Sequence, residues 1–84
     1  VRANIENARK EVLAGLKSPL CYHMAVRQMD VKFLARAAGI AVFRVKRHMR
    51  PEIFVKLKPS VLDRYAVALA VTPEELKTVP DSEA

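Results

Sequence analysis

Over the first sixteen positions apolar residues recur three and four apart at Ile5, Ala8, Val12 and Leu16, while Arg9, Lys10 and Glu11 fall on the other side. This is the period of an amphipathic helix, predicted to end near Gly15 to Lys17. Ser18-Pro19 follows as a helix cap and a proline at the first helical position, where a missing N–H costs nothing. It opens a second helix predicted to run through about Gln28, with Leu20, Cys21, Met24 and Ala25 inward. Asp30 is the next cap, ahead of Val31, Leu34, Ala35 and Ala38, the apolar face of a short helix over 31–38. Gly39 stops that helix because glycine takes the left-handed backbone readily. The spacing resumes at Val42, Val45 and Met49 and is cut by Pro51, which predicts a helix over 42–50. Ile53, Phe54, Val55 and Leu57 form a run too short to separate a strand-like connection from one helical turn, and it is read as a loop packed on the core. Pro59-Ser60 starts the next helix, with Leu62, Tyr65, Ala66 and Leu69 inward. Thr72-Pro73-Glu74-Glu75 is a capping box for a last turn closed by Leu76, and residues 78–84 read as a polar tail.

Composition supports an all-α reading and narrows the chemistry. Half of the 84 residues are apolar, with no Trp and only two glycines, which suits one compact helical domain better than a sheet with many tight turns. No apolar run approaches the roughly 20 residues that span a bilayer, and the start lacks the apolar core of a signal peptide, so a cytoplasmic location is expected. Cys21 is the single cysteine, and Cys21, His23 and His48 lack a zinc-ligand spacing. Cys21 is therefore read as a core residue. His23 and His48 have no carboxylate and nucleophile at interpretable spacing, and no glycine-rich phosphate loop is present. No catalytic residue, metal or cofactor is expected.

Charge matters through its position. The net charge is +6, but from Arg27 to Lys58 nine basic residues stand against two acidic ones, while the remainder holds six basic and seven acidic. The positive excess lies wholly in the middle third, the form of a footprint for phosphate. The same third holds two short helices joined by a three-residue turn that begins with glycine, a helix-turn-helix arrangement. Ala35 is small where the second helix crosses, Gly39 makes the turn, and Leu34, Ile40 and Val45 set the angle so that the second helix projects as a rigid rod. Its apolar side is committed to the core, which turns Arg44, Lys46, Arg47 and Arg50 outward and predicts contact with double-stranded DNA.

The stretch Val31-Lys32-Phe33-Leu34-Ala35-Arg36-Ala37-Ala38-Gly39-Ile40-Ala41-Val42-Phe43-Arg44-Val45-Lys46-Arg47, about a fifth of the chain, resembles the helix-turn-helix of bacterial repressors of the lactose-repressor type. Leu62-Asp63-Arg64-Tyr65-Ala66-Val67-Ala68-Leu69-Ala70-Val71-Thr72-Pro73-Glu74-Glu75-Leu76 resembles the closing helices of phage-repressor and Cro-type domains. The second resemblance implies a compact five-helix, lambda-repressor-like fold with an extra amino-terminal helix, and a role in transcriptional control, often as a dimer. The expected division is an amphipathic helix over 1–17, the DNA-binding domain over 18–77 and the tail over 78–84. Two positions depart from the pattern. His48 stands where such motifs usually carry a branched apolar residue, with Met49 expected to fill the gap. Ala41 replaces the Ser or Thr that caps the recognition helix and often contacts phosphate.

Base contacts are expected from Val42, Phe43, Lys46 and Arg47. Arg47 matches the position at which the related repressors set arginine on bases, and a bidentate arginine on guanine is the commonest specific contact. Val42 and Phe43 either meet a thymine methyl or pack inward. Lys32, Arg36, Arg44, Arg50, Lys56 and Lys58 are expected on phosphates, where they set docking without reading sequence. The resulting expectation is a phage- or plasmid-like bacterial regulator that occupies an operator, as a homodimer if the first apolar stripe pairs with a second copy instead of capping the core. The alternative is an interaction module, such as an antitoxin that binds a partner protein and autoregulates through the same motif. Single-stranded or RNA binding would draw on Phe33, Phe43, Phe54, Tyr22 and Tyr65, most of which read as structural.

Overall fold

A computed structural model describes residues 2–79, so residues 80–84 of the expected tail lie outside the described residues. The described residues form seven helices in order: α1 (Arg2–Leu13), α2 (Pro19–Val26), α3 (Val31–Ala38), α4 (Val42–His48), α5 (Pro51–Phe54), α6 (Pro59–Leu69) and α7 (Pro73–Leu76). Among the described residues there is no strand, and the all-helical expectation is met. No helix is long and apolar enough to cross a membrane among the described residues.

Local signals account for most of the boundaries. The Asp30 carboxylate accepts the Phe33 N–H at 2.7 Å and caps α3, and Gly39 ends it at φ 70°. Proline opens α2, α5, α6 and α7 at positions whose N–H has no helical partner. At α7 the capping box is complete: the Thr72 hydroxyl accepts the Glu75 N–H while the Glu75 carboxylate accepts the Thr72 N–H. The inward faces of α2, α3 and α6 meet in one core, in which Leu20, Leu34, Val45, Tyr65, Leu69 and Leu76 are fully buried. Each buried side chain of this size contributes about 1.5–3 kcal/mol through removal from water. The helix-turn-helix pair α3 and α4 rests on α6 through α3, and α1 packs mainly on α2.

The structure corrects four expectations. First, α1 stops at Leu13: the Gly15 N–H bonds Val12 O and the Leu16 N–H bonds Glu11 O, with Gly15 at φ 79°, so the chain turns before Leu16. Leu16 is consequently off the apolar stripe and 69% exposed, whereas Ala8 is buried. Second, Ser18 occupies the cap position of α2 without capping it. Its hydroxyl donates instead to His48 O at 2.9 Å, and its N–H donates to Met49 O at 2.8 Å. Third, residues Pro51–Phe54 form a helical turn where a loop is predicted, because Arg50 O can take the Phe54 N–H once Pro51 opens the turn. Phe54 is buried. Fourth, α2 ends at Val26 and α4 at His48, each about two residues early. Past α2 the backbone reverses at Gln28, φ 56°. Arg50 takes the extended backbone that precedes Pro51.

Candidate nucleic-acid interface

The interface is built from the seam between α3 and α4. Leu34, Ala35, Ile40 and Val45 are buried in that seam, as the mechanical reading requires, and hold α4 against α3. The turn is pinned from a third element: the Arg64 guanidinium on α6 donates to Gly39 O at 3.2 Å. A methyl group at Gly39 would meet the Arg64 Nη1 at 3.6 Å, an ordinary contact. Glycine is needed at this position for its left-handed backbone and not for space.

The carboxyl end of α4 is held from below by polar groups. His48 is buried, its Nδ1 sharing a 2.6 Å hydrogen bond with the Tyr65 hydroxyl and its ring meeting Tyr65 edge-on at 5.7 Å. The expected gap for Met49 does not arise, because the imidazole itself takes the inward place and finds a partner on α6. Burial holds the His48 pKa below its ordinary value, and the nearby Arg44 and Arg47 charges push it the same way. The imidazole is thus neutral at pH 7. Burial pushes the Tyr65 phenol up to about 12, so it keeps its proton.

The outward side of the same elements carries the predicted site. Arg44, Lys46 and Arg47 on α4, Lys32 and Arg36 on α3, and Arg50, Lys56 and Lys58 at either end of α5 are all exposed. None of these eight cations has an ion-pair partner among the described residues. Phe43 is 67% exposed and Val42 36%, so the inward alternative is ruled out for Phe43. Arg27, which sequence counting places in the basic third, is used otherwise: its Nε donates to Leu69 O at 2.9 Å and its Nη2 to Ala70 O at 3.3 Å, closing the end of α6.

Sequence reasoning did not find Arg64 on the turn, nor the Ser18 and Tyr65 hydroxyls under α4. The unusual histidine at position 48 was the one local signal that pointed there. His23 is also buried, its Nε2 within 3.1 Å of Thr78 O, and burial lowers its pKa despite the backbone hydrogen bonds at Thr78 and Glu75, which act oppositely. Cys21 is half-buried and outside the core cluster, a correction to its expected place in the core, and burial pushes its thiol up. Among the described residues no cluster of side chains could hold a metal ion.

A family model described as a Cro/C1-type HTH DNA-binding domain matches residues 20–82, a span that runs from the second residue of α2 through α7 and leaves out α1. No curated protein and no solved structure matches the chain.

Proposed function

Since this chain belongs to the Cro/C1-type helix-turn-helix DNA-binding family, and is a DNA-binding regulator in that coarse sense, we propose that it controls transcription by occupying a specific operator in double-stranded DNA. Residues 18–77 act as the reading domain, in the cytoplasm of a bacterium, on a phage- or plasmid-type operator. The observation that carries this reading is the set of eight exposed cations, without an ion-pair partner among the described residues, on and around a helix whose other side is locked into the core. A rigid helix with one charged face meets the groove in one orientation.

In this reading α4 lies in the major groove with Val42, Phe43, Lys46 and Arg47 toward base edges, Arg47 forking onto guanine O6 and N7. Lys32, Arg36, Arg44, Arg50, Lys56 and Lys58 take phosphates on the flanks and fix the docking. The side chains work by position and charge, and no step needs a catalytic group. The chain binds as a homodimer, so its operator is a palindrome with half-sites about one helical turn apart.

Selection of bound duplexes from a random pool tests the assignment. Enrichment of a defined palindromic motif is expected. A pool that stays random while the folded protein still shifts DNA would reduce it to a non-specific binder, and sedimentation as a monomer with and without DNA would remove the dimer.

One observation favours a second reading. Helix α1 lies outside the matched span and ends on exposed Leu13, with exposed Leu16 in the turn beyond it, which suits an antitoxin-like module that binds a partner protein and autoregulates through the same motif. Such a module would need its partner for full operator affinity, whereas the operator reader binds alone.

A further inference from the structure

Resting on the reading that α4 enters the major groove, we propose that Phe43, supported by Val42, is a specificity-determining residue that reads the 5-methyl group of a pyrimidine. Ala41 at the cap position of α4 and Val42 and Phe43, its first two residues, are successive exposed apolar residues at the end of a recognition helix that reaches base edges. None of the three side chains has a hydrogen-bond donor or acceptor. Discrimination at this end therefore has to come from apolar contact. The floor of the major groove offers one apolar group, the methyl on pyrimidine C5.

The surroundings select this occupant over a protein surface. Arg44, Lys46 and Arg47 follow Phe43 directly on α4, and Lys32 and Arg36 stand exposed on α3. An apolar protein partner that covered Phe43 would bury or crowd these cations without counter-charges, which is costly. DNA supplies phosphates for the cations and the methyl for the ring in one docking.

Spacing narrows the position of that methyl. Phe43 and Arg47 are four residues apart on α4, hence in one row along the helix. Four residues rise about 6 Å, close to two base steps of about 3.4 Å along a strand. With Arg47 on a guanine, Phe43 falls over a pyrimidine methyl about two base pairs away. Thymine and 5-methylcytosine both present this group.

The test uses the full chain and the duplex it selects. In one arm deoxyuridine replaces each thymine in turn. In the other, 5-methylcytosine replaces each cytosine in turn. Loss of the contacted methyl weakens binding about fourfold, the equivalent of one carbon group of about 0.8 kcal/mol. A loss in the first arm identifies thymine as the source, and a gain of similar size in the second identifies 5-methylcytosine. Phe43→Ala, whose exposed side chain allows the fold to be kept and checked by circular dichroism, binds duplexes with and without the methyl equally. Selective binding by the unaltered chain that ignores every methyl change, or methyl dependence that survives Phe43→Ala, overturns the inference and leaves the operator reading standing. A folded chain that prefers no duplex overturns both.

Discussion

Arg47 stands on the exposed side of α4, one residue ahead of the buried His48, so its loss should affect readout without disturbing the core. Arg47→Ala is expected to cost about 1–3 kcal/mol on the preferred duplex and to flatten discrimination between duplexes, because a bidentate base contact carries specificity directly. Fluorescence anisotropy on matched and mismatched sites measures both effects, and unchanged discrimination would move the reading residue elsewhere on α4. Beneath it, His48 gives a pH dependence with a definite sign. Burial first, then Arg44 and Arg47, holds its folded pKa below 6.5, so the unfolded chain binds the proton more tightly than the folded one. Stability is therefore full above pH 6.5 and falls as the pH drops from there toward the lowered folded value, below which the loss levels off. His23, lowered mainly by burial, acts in the same direction and window. Urea midpoints at pH 7.5 and 5 check this, and His48→Gln is expected to reduce the difference between them. A midpoint unchanged over that range would mean that neither imidazole is neutral for the reason given.

At the scale of the elements, helix endings are where the chain departs most from what its residue types prefer. Among the described residues four turns reverse through the left-handed region, at Gly15, Gln28, Gly39 and Ala70, and two of these have glycine. Ala70, at φ 58°, closes α6 with its own N–H on Val67 O and the Val71 N–H on Ala66 O. A side chain in that backbone costs about 1–2 kcal/mol, and the Arg27 guanidinium on Leu69 O and Ala70 O helps hold it there. Ala70→Gly removes the strain at the expense of a more flexible unfolded chain, for a net gain of about 0.5–1 kcal/mol. Gly39→Ala should do the reverse, losing about 1–2 kcal/mol through backbone conformation, since the space beside it is open enough. Denaturation midpoints of the two variants are expected to move in opposite directions. Equal shifts would place the cost in side-chain packing.

For the whole molecule, charge and size bear on how it meets a duplex. Six cations assigned to phosphate imply that log affinity falls against log salt with a slope of about −5 per bound copy. Lys32→Ala should weaken binding to all duplexes alike and reduce that slope by about one. A Lys32→Ala effect confined to the preferred site would make Lys32 a reader. The molecule measures 30 × 23 × 22 Å across its Cα atoms, less than the roughly 34–36 Å between half-sites. Under the proposed homodimer reading each copy meets one half-site, and a palindromic operator calls for two.

The sequence by itself determined six of the seven helices of the described residues, their order and where the positive charge lies. Caps, prolines and the stop at Gly39 act within about four residues, and the periods that mark inward faces are just as local. For this reason α3 begins at Val31 and ends at Ala38 as its residues predict, and α6 buries Leu62, Tyr65, Ala66 and Leu69. Only the tertiary structure decided what polar groups do once distant segments meet. Ser18 lies 30 residues from the carbonyl it serves, and Arg27 lies 42 from Leu69 O. Likewise 17 residues separate His48 from Tyr65, and 25 separate Arg64 from Gly39. Ser18 caps its helix only if nothing better approaches, and the approach of the α4 end supplied something better. The exposure of Phe43 was settled in the same way: the seam between α3 and α4 was filled by Leu34, Ile40 and Val45, leaving the ring on the face with the cations. A hydrogen bond or a packing place goes to whichever group the fold brings within reach, and local pattern carries no record of that distance.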